Sequence, residues 1–144
     1  MSDYKRVLVA VDLSEHSDRV VNQAQVIANA FQAEMSLLHV VEYVPVEPMG
    51  EALLPAVDIE DELVEGARRR MDELAERAGI PEVDRRVENG TIKSELVRVA
   101  EEISADLVIL GSRERHGVAV LLNLTEDTIL HAAPCDVLAI RLGE

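Results

Sequence analysis

Short apolar runs alternate along this chain with longer amphipathic stretches, and that alternation constrains the fold more than any other feature. Residues 7–11 (VLVAV), 35–41 (MSLLHVV), 107–110 (LVIL) and 137–140 (VLAI) are strand-length runs rich in Val, Leu and Ile. Continuous apolar runs of this kind suit strands buried on both faces of a parallel sheet. Between them lie segments with helical spacing. Val20, Val21, Ala24, Ile27, Ala28 and Phe31 predict a helix over 15–32, with Ser14 as its cap. Leu63, Ala67, Met71, Leu74 and Ala78 predict a second helix, ended by Gly79 and followed by Pro81. Ile92, Leu96, Val99, Ala100 and Ile103 predict a third, capped by Thr91 after an Asn89-Gly90 turn. A fourth is expected between a loop at 111–117 and Pro134.

The remaining strand is residues 83–87 (VDRRV), short and alternating, as an exposed edge would be. Residues 42–60 contain Pro45, Pro48, Gly50 and Pro55, and read as a long surface connection. Five strands and four helices in strict alternation, joined by right-handed crossovers, give an open, parallel, doubly wound α/β sheet. Ligands of such sheets sit outside the carboxyl ends of the strands, where the strand order reverses. That places the candidate site at Asp12 after the first strand, Val40 and Val41 at the end of the second, and 111–117 after the fourth.

Composition then excludes several classes of function. At 144 residues the chain is long enough for one domain with one sizeable core. Acidic residues number 28 against 14 basic ones, a net charge of −14, which disfavours nucleic acid and anionic membrane surfaces as partners. One cysteine cannot form an internal disulfide, and the N-terminal apolar run stops at Asp12, so neither a secreted scaffold nor a signal peptide is expected. Aromatics make up 2 % of the chain and there is no Trp, which leaves little for stacking a flavin or a base. Lys5 and Lys93 are the only lysines, so candidates for lysine chemistry are few.

Four segments, VLVAVDLSEHS, SLLHVVE, ADLVILGSRERHG and HAAPCDVLAIRL, together resemble the universal stress protein family in content, order and spacing. The resemblance covers nearly the whole chain and implies a single universal stress protein domain over 1–144. The fold it implies is adenine-nucleotide α-hydrolase-like, with sheet order 3-2-1-4-5. Members are commonly homodimers, and the single cysteine fits a reducing, cytoplasmic compartment. Many members bind ATP or AMP. They use an Asp after strand one towards the ribose and the backbone of the Val after the strand-two His towards adenine. Here these positions are Asp12 and Val40. The family's phosphate fingerprint is G-x-x-G, eight or nine residues, then G-[ST]. Its glycines let backbone N–H groups approach phosphates, and its hydroxyl donates at a helix start.

In this chain the phosphate half departs from the pattern. Gly111 matches the first glycine, but Glu114, Asn123 and Leu124 occupy the other three positions. Glu114 brings an anion and a side chain, Asn123 retains a Cβ, and Leu124 has no donor. Glu126 and Asp127 follow, at what would be the positive end of the last helix. Two like charges about 4 Å apart near a surface repel by several kcal/mol before screening. Arg113, Arg115 and His116 oppose that repulsion, and Thr125 stands one residue past Leu124 as a substitute donor.

The candidate binding residues are therefore Ala10, Asp12, Val40, Gly111, Arg113, Glu114, Asn123, Leu124 and Thr125. Several have structural alternatives: Asp12 as a helix cap, Val40 as core, and Gly111 as a backbone necessity. His39 reads as a satisfied core histidine and Cys135 as a buried structural thiol. Glu114, His116, Glu126 and Asp127 lack metal-ligand spacing, so no metal is expected. Asp12, Ser14 and His16 do not form a triad signature, and no G-x-S-x-G elbow is present.

The expected function is a dimeric, non-enzymatic stress-response binding or interaction module with a degraded phosphate loop and weak or absent ATP binding. Dimerisation would use the apolar edge strand Val137, Leu138, Ala139 and Ile140, and protein partners are unspecified. The alternative is a working ATP/AMP-binding member in which Arg113, Arg115 and Thr125 substitute for the lost positions. An enzyme of the same superfold ranks last, since the HIGH-type ligase motif is absent.

Overall fold

A computed structural model describes residues 4–42, 56–112, 129 and 131–142. Its elements run β1 (Arg6–Ala10), α1 (Ser17–Phe31), β2 (Glu34–Val41), α2 (Ala56–Arg77), β3 (Asp84–Asn89), α3 (Ile92–Glu102), β4 (Leu107–Ser112) and β5 (Asp136–Arg141). All five strands form one parallel sheet in the order β3-β2-β1-β4-β5. The expected sheet order is therefore the observed one. Of the expected fourth helix, residues 129, 131 and 132 are helical and the rest lies outside the described residues.

β1 is the centre of the sheet because its side chains are apolar on both faces. Val7, Leu8 and Val9 are 0 % exposed. Val7, Val9 and Val11 face one core cluster with Val20, Val21, Ala24, Met71 and Leu74, supplied by α1 and α2. Leu8 faces the other, with Leu38, Leu96, Val99, Ala100 and Val108. The chain thus winds from β1 to β3 with α1 and α2 on one face. It then returns through α3 on the opposite face to β4, on the other side of β1. The direction of winding reverses between β1 and β4.

Helix ends follow local chemistry. The N–H of Ser94 donates to Thr91 Oγ1 at 3.3 Å, the expected cap of α3. Gly79 lies just past α2 with φ +77°, a left-handed turn that glycine adopts without strain, while the Ile80 N–H donates to the Ala75 carbonyl. At the amino end of the sheet, Asp106 Oδ2 accepts from the backbone N–H groups of Lys5 (2.6 Å) and Arg6 (2.9 Å). These bonds hold the Asp106 carboxyl below its usual range, and they tie the entry of β1 to that of β4.

Several sequence expectations need correction. Ser14 does not cap α1: the helix starts at Ser17, its N-cap is His16, and Ser14 forms a turn in which its Oγ accepts from the His16 N–H. The surface connection is shorter than 42–60, because helical periodicity already begins at Ala56, just beyond Pro55. Residues 43–55 of that connection lie outside the described residues. β1 runs one residue earlier than 7–11, and β3 one residue later at its start and two at its end than 83–87. β4 does not end before Gly111 but continues through it to Ser112, because both residues pair with β5. The 111–117 loop therefore starts no earlier than residue 113. Cys135 is half-buried rather than buried, and burial pushes its thiol pKa up. Among the described residues no helix is long and apolar enough to cross a membrane.

Gly111 is explained by packing. A Cβ there would lie 2.7 Å from Leu142 Cδ1 and 3.1 Å from Val20 Cγ2, and Leu142 is itself buried. Gly111→Ala is expected to destabilise the protein by about 1–3 kcal/mol in urea unfolding. Combining it with Leu142→Ala should cost less than the two single losses added together. A strictly additive double variant would show that the Gly111–Leu142 contact is not the reason for the glycine.

Candidate functional site

Where the winding reverses, the carboxyl ends of β1, β2 and β4 enclose a cavity of about 300 Å³. Ala10, Asp12, Val40 and Gly111, four positions expected at a binding site, all line it. Arg113, Glu114, Asn123, Leu124 and Thr125 lie outside the described residues, as do His116, Glu126 and Asp127. The walls are chiefly aliphatic. Val11, Val20 and Leu142 contribute from one face of the sheet, and Leu38, Val40, Ile92, Leu96 and Leu110 from the other. The polar lining groups are Asp12, Ser17, His39 and Glu42.

Asp12 is held by the turn that follows it. Its Oδ1 accepts from the Ser14 N–H at 3.0 Å and from Ser17 Oγ at 3.2 Å. The carboxylate thereby anchors the entry to α1, the structural role weighed for it, while remaining on the cavity wall. Leu13, next in sequence, has φ +61°, a left-handed conformation uncommon for a non-glycine residue. From α2, Arg70 donates to the Leu13 carbonyl at 2.8 Å and fixes that turn from outside.

His39 holds the other side of Asp12. Its Nδ1 lies 2.9 Å from the Val11 carbonyl. A carbonyl only accepts, so Nδ1 carries the proton and Nε2 of the neutral ring is an acceptor. Burial pushes the His39 pKa below its ordinary value. The Val11 carbonyl opposes that shift, the Arg70 guanidinium adds to it, and Asp12 opposes it. The core-histidine reading holds in that its Nδ1 is satisfied, but the ring is only partly buried and also lines the cavity. Val11 and Leu13, the neighbours of Asp12, thus both have their carbonyls pinned by side chains from other elements.

Glu42 was not singled out by motif. Residues 38, 40 and 42 share one face of an extended strand, so period-two alternation past Val40 is the signal that points to it. Its Oε2 accepts from the Ile92 N–H at 2.7 Å, which places the carboxylate at the amino end of α3. Ser17, Leu142 and Ile129 were likewise missed, because each reaches the cavity from a different element. Among the described residues no group of three or more His, Cys, Asp or Glu side chains is placed to hold a metal ion. The arrangement can enclose a small, largely apolar ligand, with Asp12, Ser17, His39 and Glu42 as the polar part of its lining.

Comparison with known proteins agrees with this architecture. The model of the universal stress protein family matches residues 3–141. Universal stress protein A homolog 2 of Coxiella burnetii is 37 % identical over 143 residues, 99 % of this chain and 98 % of that protein. Among solved structures, universal stress protein UspA from Lactobacillus plantarum superposes with a TM-score of 0.74 at 26 % identity, covering 98 % of this chain and 100 % of that one. A universal stress protein in complex with cAMP superposes with a TM-score of 0.64 at 26 % identity, covering 96 % and 98 % of the two chains. The sheet order and these neighbours define the adenine-nucleotide α-hydrolase-like fold. The chain belongs to the universal stress protein family.

Proposed function

We propose that this protein is a dimeric, non-catalytic stress-response module whose cavity takes an adenine nucleoside and holds a triphosphate weakly or not at all. The observation that carries this reading is the cavity at the carboxyl ends of β1, β2 and β4, lined by Ala10, Asp12, Val40 and Gly111. An aliphatic middle suits a flat heterocycle, and the Asp12 carboxylate suits the hydroxyl donors of a ribose. The weak phosphate grip rests on sequence. Glu114, Asn123 and Leu124 replace the family's glycines and hydroxyl residue, and Glu126 and Asp127 follow. Glu114, Glu126 and Asp127 add charge that repels phosphate, Leu124 removes a hydroxyl donor, and Asn123 puts a Cβ where bare backbone would approach.

A second reading is favoured by the similar protein in complex with cAMP, whose ligand carries a phosphate. On that reading the chain binds ATP or AMP, with Arg113, Arg115 and Thr125 supplying what the altered loop lacks. Isothermal titration with ATP, AMP and adenosine separates the two. Adenosine should bind saturably and ATP no tighter than millimolar. ATP binding tighter than millimolar decides for the second reading. The combined reversion Glu114→Gly, Asn123→Gly and Leu124→Ser should strengthen ATP binding, and an unchanged affinity would show that these three are not the obstacle.

Self-association through β5 is supported by its place at the sheet edge and by its exposed apolar residues. Leu138 is 37 % exposed, and Ala139 is also exposed. An apolar edge of this kind is protected when it pairs with a copy of itself about a twofold axis. Analytical ultracentrifugation at micromolar concentration should show a dimer, and Leu138→Lys should shift it to monomer. A wild-type protein that sediments only as monomer contradicts this assembly.

A further inference from the structure

Acidic side chains outnumber basic ones in this chain by 28 to 14, and exposed arginines of α2 find acidic partners. Arg68 pairs with Glu65, and Arg77 pairs with Asp18. Arg70 differs. Among the described residues it forms no ion pair, and its Nη2 donates to the Leu13 carbonyl at 2.8 Å. Holding a long, exposed side chain on one carbonyl costs rotamer freedom, and water can satisfy an exposed carbonyl without it. The contact is therefore explained by what it holds.

It holds one peptide unit. The Leu13 carbonyl and the Ser14 N–H are the two ends of a single planar trans amide. Arg70 takes its oxygen end, and Asp12 Oδ1 accepts from its nitrogen end at 3.0 Å. The guanidinium thus fixes the plane of the amide that anchors the Asp12 carboxylate. By drawing charge towards the oxygen it also strengthens the N–H as a donor. That plane needs holding, because Leu13 has φ +61°, a conformation that a non-glycine residue keeps only when its surroundings impose it. The amide before Asp12 is held in the same way, since its oxygen, the Val11 carbonyl, lies 2.9 Å from His39 Nδ1. Asp12 is set between two amides, each clamped at its oxygen by a side chain from another element. Asp12 lines the cavity, whereas Arg70 is not among the lining residues. We infer that Arg70 is a positioning residue: from α2 it sets the orientation of the Asp12 carboxylate on the cavity wall through the Leu13–Ser14 amide, without touching the ligand. Its effect on affinity rests on the nucleoside reading, in which Asp12 takes the sugar hydroxyls; its hold on the turn does not.

Arg70→Met keeps the aliphatic stem and removes the donor, so it tests both. In the ligand-free variant, amide hydrogen exchange followed by NMR should quicken about tenfold at Ser14, the worth of one hydrogen bond with a charged group, and stay unchanged at Val9 in the core of β1. In calorimetric titration the variant should bind adenosine several-fold more weakly than wild type does. The dideoxy analogue of adenosine, which lacks both ring hydroxyls of the sugar, should bind variant and wild type equally. Arg70→Lys retains a charged donor and should return both measurements towards wild type. Unchanged exchange at Ser14, or unchanged affinity for an adenosine that wild type binds, overturns the inference. Equal loss of both ligands overturns it too, by assigning Arg70 a general structural role. If wild type binds neither nucleoside, the nucleoside reading falls, and exchange at Ser14 alone decides whether Arg70 holds Asp12 in place.

Discussion

The position of β1 governs everything else in this molecule. A strand with Val7, Leu8 and Val9 wholly buried must have a helix layer on each face and a strand on each side. Parallel neighbours on both sides then require the chain to wind one way through α1 and α2 and the other way through α3. The two windings leave from the same end of the sheet in opposite directions, and the cavity lies between them among the described residues. The cavity is the consequence of burying β1, and the residues just past its carboxyl end inherit the role of lining it.

What lines it follows from the same geometry. Asp12 begins a turn whose free N–H groups need an acceptor, and Glu42 meets the first N–H of α3. Both carboxylates are held in place by backbone groups at helix entries. These are positions where other members of such folds place a ligand's anionic group. Here the protein's own anions occupy those donors. The sequence past β4 adds Glu114, Glu126 and Asp127 in the same sense. Hydrogen-bond acceptors and negative charge favour donors on the ligand, and this is the physical ground for proposing a neutral nucleoside rather than a polyphosphate.

The architecture was legible in the sequence because burial on two faces leaves an unbroken apolar run, and because helix faces repeat at 3.6 residues. Thr91, Gly79 and the edge placement of 83–87 could be read for similarly local reasons. The start of α1 could not. Ser14 has the right chemistry for a cap, but Asp12 captures the Ser14 N–H first and delays the helix to Ser17. The end of β4 was misread because glycine is a stop signal only when conformational freedom is its purpose. At Gly111 the purpose is room for Leu142, a residue 31 positions away by sequence numbering. Within the site, the motif positions Ala10, Asp12, Val40 and Gly111 were visible. His39 pinning Val11, Arg70 pinning Leu13 and Glu42 capping Ile92 join residues far apart in sequence, and no local pattern encodes such pairs.

The most direct test of the account is a crystal structure of the protein grown with adenosine and, separately, with ATP. The account predicts an ordered nucleoside between the ends of β1, β2 and β4, its sugar against Asp12, and no ordered triphosphate. A well-ordered ATP tail bound along residues 111–125 would contradict it.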